Sequence, residues 1–163
     1  MHQYRVTKYD PEFRDSSGAF TRDDWTATSD IGGIFGGVVL TPQAYLTVEN
    51  AYVESAIAFL SESSSESLKV ASLENYGQYT DSVLEIADGK RCTLLEIADI
   101  ARLNLRSLVW CRFSGDDAFL HFGGDFYMYV GVPMACQGAT NFAKRSGLFV
   151  ESFNSPYLEN GLG

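Results

Sequence analysis

Polar and apolar positions alternate with period two over residues 3–9, Gln-Tyr-Arg-Val-Thr-Lys-Tyr, and the alternation stops at Asp10-Pro11. That pattern predicts a strand followed by a turn. Residues 25–28 form a second, shorter strand candidate, closed by Ser29-Asp30 and the glycine pairs Gly32-Gly33 and Gly36-Gly37. The pattern then lengthens to helical spacing. Thr41 offers an N-cap hydroxyl, Pro42 suits a first helical position, and Tyr45, Val48, Tyr52, Ala56, Phe59 and Leu60 fall on one stripe. Glu49 and Glu54 are expected on the outer face of that helix. The serine- and glutamate-rich tract over 61–67 reads as a solvated loop.

Alternation returns over 68–73 and, more weakly, over 82–87. Thr93 with Glu96 three residues later makes a capping box and predicts a helix over 94–105. Strands are predicted over 108–113, 118–122 and 125–132, and their connections are short enough to force an antiparallel meander. A short third helix through Ala135, Ala139, Phe142 and Ala143 stops at Gly147, and 148–153 reads as a last strand. About three helices with six to seven strands, not strictly alternating, predict an α+β fold with helices packed on a mostly antiparallel sheet. One domain spanning 1–163 is expected.

Composition narrows the partners. The 163 residues are 45% hydrophobic and 13% aromatic, enough for a proper core, and carry a net charge of -9. An acidic chain disfavours phosphate-rich partners, so no nucleic acid is expected. No apolar run reaches the roughly 20 residues of a membrane span, and the N-terminus has no export signal, so no membrane and a cytoplasmic location are expected. Cys92, Cys111 and Cys136 have no CxxC spacing and read as reduced, buried thiols. The acidity is uneven: residues 1–60 carry -4, residues 61–100 carry -5, and the remainder is neutral. The acids Asp23, Asp24, Asp30, Glu62, Glu66, Asp116 and Asp117 are therefore the candidates for contact with a basic protein partner.

Candidate small-molecule chemistry concentrates in His121-Phe122-Gly123-Gly124-Asp125-Phe126-Tyr127-Met128-Tyr129. If Gly123-Gly124 turns a hairpin, Asp125 can approach His121 and raise its pKa, and Tyr127, Tyr129 and Trp25 could complete a pocket. No nucleophile signature accompanies the pair, and the strand pattern does not place Cys111 near it. The glycines around Ile34 match neither a dinucleotide fingerprint nor a P-loop, and the aspartates lack EF-hand spacing, so no cofactor and no metal are expected.

Three stretches carry a resemblance: residues 4–11 (YRVTKYDP), Asp24-Trp25-Thr26 with Ser29-Asp30-Ile31-Gly32, and His121-Phe122-Gly123 with Asp125-Phe126-Tyr127-Met128-Tyr129. Together they resemble a family of small, uncharacterised, single-domain bacterial proteins. Size, acidity and the want of a catalytic signature also look like the immunity proteins that accompany bacterial polymorphic toxins. This likeness implies a protein that occludes the active site of a cognate toxin, and it transfers no catalytic residue.

Overall fold

A computed structural model of the chain describes residues 1–76, 79 and 84–158. The strands are β1 (His2–Thr7), β2 (Ile34–Phe35), β3 (Val38–Val39), β4 (Ser67–Asn75), β5 (Arg91–Thr93), β6 (Val109–Ser114), β7 (Phe119–Phe122), β8 (Tyr127–Val132) and β9 (Phe149–Ser152). The helices are α1 (Pro42–Glu62), α2 (Leu94–Leu105) and α3 (Gln137–Arg145). Seven strands form one sheet in the order β5-β4-β6-β7-β8-β1-β9, antiparallel throughout, while β2 and β3 pair as a separate hairpin. The architecture is α+β, and β6-β7-β8 is the predicted meander.

The helices begin where their capping chemistry puts them. Thr41 Oγ1 accepts the Ala44 N–H, and Thr93 and Glu96 satisfy each other's backbone donors at the start of α2. Register then sorts the sheet into two faces. Val6 opposes Met128, Leu120 opposes Val130, and Phe113 opposes Leu120 and Val70. These residues belong to the core cluster that also contains Tyr52, Phe59 and Ile100 of the helices. Residues one step out of that phase, including Arg5, Tyr129, His121 and Arg112, project from the opposite, outer face. The segment over 153–158 crosses that outer face, with the Ser155 N–H donated to Gln3 Oε1.

Three expectations need correcting. Residues 25–28 do not form a strand: the Asp30 carboxylate accepts the Thr26 and Ala27 N–H groups and closes a 3-10 turn at Thr28–Asp30 instead. Glu49 does not face outward but is wholly buried, with Arg106 donating to both its oxygens at 2.8 and 2.7 Å. It lies four residues after Tyr45 and three before Tyr52, inside the apolar stripe, so helix geometry outweighs its charge once an arginine neutralises it. The strand expected over 82–87 falls partly outside the described residues; 84–87 is irregular, and β5 takes the edge position.

Candidate functional site

Residues from the 4–11, 24–32 and 121–129 stretches meet in space. Lys8 Nζ lies 2.5 Å from the Asp24 carboxylate and sits over the rings of Tyr9 and Trp25, 4.3 and 4.2 Å from their centroids. The Tyr9 hydroxyl donates to the Asp125 carbonyl at 2.7 Å, and the Trp25 ring meets Phe126 edge-on at 4.9 Å. Tyr52 of α1 adds a hydroxyl that accepts the Lys8 N–H and donates to the Phe126 carbonyl. Burial, and then the charge of Asp24, push the Tyr9 phenol far above its ordinary range. This cluster therefore pins the β7–β8 turn, in which Phe126 adopts a left-handed φ of 60°. Its aromatics are core, and the Tyr9 and Tyr52 hydroxyls are hydrogen-bonded.

Across the outer face, one transverse row joins most of the polar chemistry. Ala71 opposes Arg112, His121 opposes Tyr129, Tyr129 opposes Arg5, and Arg5 opposes Glu151. Arg112 and His121 continue the Phe113–Leu120 register and so complete the row. At one end, Arg5 and Arg14 both bind Glu151, and these bonds hold the Glu151 carboxyl below its usual value against the opposing effect of burial. Toward the middle, Phe119 lies flat over Gly131, where a Cβ would fall 2.1 Å from the ring, and stacks on His121 at 4.4 Å. That close approach requires glycine at 131.

The expected His121–Asp125 pair does not form. His121 Nδ1 meets Ser155 Oγ at 2.8 Å instead, and the two residues share neither a hydrogen bond nor an ion pair. Asp125 is exposed on the turn. Burial, reinforced by the nearby Arg112 charge, pushes the imidazole down to about 4 rather than up. The remaining members of that pocket are divided as well: Tyr127 and Tyr129 share the outer face with His121, whereas Trp25 packs with Phe126 and Tyr45. What the fold builds beside His121 is a groove of about 400 Å³ lined by Arg112, Ala118, Phe119, Tyr157 and Leu158. Ser155 and Tyr157 reach it from more than thirty residues along the chain, with no sequence motif linking them to His121.

The seven acidic contact candidates separate into two groups. Asp24 pairs with Lys8, Asp30 closes its 3-10 turn, and Asp23 accepts the Gly36 N–H. Glu62 accepts the Gly138 and Ala139 N–H groups, supplying at the start of α3 the cap that Cys136 lacks. Those four are occupied by the fold. Glu66, Asp116 and Asp117 make no hydrogen bond or ion pair among the described residues, and all three line one concavity of about 440 Å³. Ser64, Ser65 and Ser67 line it too, as do Lys69 and Arg91, the latter donating to Ser67.

All three cysteines are buried free thiols. Burial raises each of their pKa values, Cys111 to about 11, which opposes nucleophilic use. Among the described residues no group of three or more metal-ligating side chains gathers, and no helix is long and apolar enough to cross a membrane. Comparison with protein-family models, curated proteins and solved structures finds no match to this chain.

Proposed function

We propose that this chain is an immunity-type binding protein that neutralises a cognate bacterial toxin by covering the toxin's active site. The observation that carries the reading is the division among its acids. Four are consumed by capping, turn closure and internal pairing, while Glu66, Asp116 and Asp117 come from two separate loops to one concave rim, shared with Lys69 and Arg91, and form no ion pair among the described residues. Carboxylates left unpaired among the described residues on a concave rim suit a partner with a basic cleft, because they can occupy positions that a phosphate-bearing substrate would fill. The neighbouring serine hydroxyls add donors and acceptors that can adapt to a protein surface. The cytoplasm is the compartment in which such a protein would guard its own cell.

The test is genetic and biochemical. Each neighbouring open reading frame of the source genome is expressed with and without this chain. Rescue of growth by the wild-type chain, lost in a Glu66→Lys/Asp116→Lys/Asp117→Lys variant that still folds, supports the reading. Rescue of no toxic neighbour, or undiminished rescue by the triple variant, removes it.

A further inference from the structure

The groove beside His121 holds a charge with no carboxylate partner among the described residues. Six basic side chains are partly buried: Arg5, Lys8, Arg14, Lys90, Arg102 and Arg112. Five of them lie within 4.0 Å of a carboxylate. Arg112 has none among the described residues. Its Nη1 donates to the Tyr157 carbonyl at 2.9 Å and its Nη2 to Ser72 Oγ at 2.6 Å, while its Nε–H is sealed from water without an acceptor. Ser72 reaches it because β4 breaks register between Ala71 and Glu74, with Ser72 at a φ of 56°. Neutral acceptors orient the guanidinium but do not cancel its charge, and each Nη retains a second hydrogen. A half-buried cation of this kind is costly without an anion.

The imidazole opposite it is set as a second donor. Ser155 Oγ accepts the Tyr157 N–H at 3.3 Å and lies 2.8 Å from His121 Nδ1. The hydroxyl hydrogen of this buried serine has no other acceptor, so it is assigned to Nδ1, which leaves the proton of the neutral ring on Nε2. Nε2 has no partner among the described residues and is not among the sealed polar atoms, so it stays open to the groove that His121 lines. One cation and one neutral N–H donor thus converge on a cavity whose remaining lining is mainly apolar, with Ala118, Phe119 and Leu158 on its walls beside Ser114 and Tyr157. Its volume of about 400 Å³ suits a small organic molecule.

We propose that this groove binds a small organic carboxylate, with Arg112 balancing its single negative charge, the His121 Nε2–H donating a hydrogen bond, and the apolar walls holding its body. The site is separate in chemistry from the acidic rim and does not depend on a toxin partner.

The experiment titrates the full chain with benzoate, and in parallel with its neutral isostere benzamide. Binding is followed by calorimetry and by the ¹H–¹⁵N signals of the Arg112 and His121 side chains. Saturable benzoate binding that shifts both side chains, with benzamide binding much more weakly, is the expected result. Arg112→Gln should weaken benzoate roughly tenfold or more. Absence of saturation, equal binding of benzamide, or unchanged affinity in a folded Arg112→Gln variant overturns the proposal. The benzamide arm uses the unmodified chain, so it decides the matter even where the variant is unstable.

Discussion

The two faces of the central sheet treat charge in opposite ways. On the helix side, one charged residue, Glu49, enters the core, and Arg106 binds both its oxygens while Arg102 stands 4.0 Å away. On the outer side, polar groups form an entire row; at one end its arginines share a carboxylate, and at the other no carboxylate stands beside the arginine among the described residues. Glu151 is shared by two arginines, whereas among the described residues Arg112 has only a carbonyl and a hydroxyl. The comparison teaches that burial alone does not mark a functional group. Glu49 is the most deeply buried ion described, and its partners already account for it. Arg112 is less buried, yet no carboxylate lies beside it among the described residues.

The largest effect that separates the faces is expected from Arg106→Ala. Stranding Glu49 at 0% exposure should cost about 3–5 kcal/mol, with Arg102 recovering part of it. Urea unfolding of this variant beside an Arg106→Leu/Glu49→Leu pair checks the value, because the apolar pair should restore most of the loss. A loss below about 1 kcal/mol would place Arg106 among ordinary surface ion pairs.

The outer face should show itself next, through pH. The His121 imidazole is held at about 4 in the fold against 6.5 for an ordinary histidine. Between those values the unfolded chain carries the extra proton, so stability present above 6.5 declines as pH falls toward about 4, by of order 3 kcal/mol. Glu151 contributes its own loss only lower, because its carboxyl is held below 4.5. Denaturant midpoints from pH 7 to 4.5 should therefore flatten in His121→Gln; an unchanged slope would assign the effect to other groups. The smallest effect, about 1 kcal/mol, is expected from Glu62→Ala, which unties two N–H groups at the start of α3. Faster amide exchange at Gly138 and Ala139, with the rest of the sheet protected, would confirm its local reach.

Elements whose stabilisation is local were legible in the sequence. Thr41-Pro42 and the Thr93/Glu96 box mark α1 and α2, and short connections mark the β6-β7-β8 meander. The β2–β3 hairpin has a sequence signal of its own, in glycines that otherwise read only as the close of a strand candidate. Gly36 and Gly37, with φ of 54° and 81°, form the two-residue turn between apolar pairs that hairpins favour. Glu49 departs from the expected outer face because its helical position, inside the apolar stripe, outweighs its charge. The outer-face site was hidden for a different reason. Arg112 pairs with a bulge forty residues earlier, and His121 with a serine thirty-four residues later, so both contacts arise from tertiary placement rather than periodicity. Of the acids, composition supplied the candidates, and only their hydrogen bonds separated the occupied from the free.

The position of β1 has a consequence for how the protein is made. Residues 2–7 lie between β8 and β9, paired with residues 127–132 and 149–152. The strand synthesised early can therefore complete neither of its ladders until the late strands have left the ribosome. At about 5–20 residues per second, Val6 waits on the order of ten seconds for Met128. During that interval an alternating, strand-forming segment is without its native neighbours, which makes β1 the part of the nascent chain most in need of a chaperone.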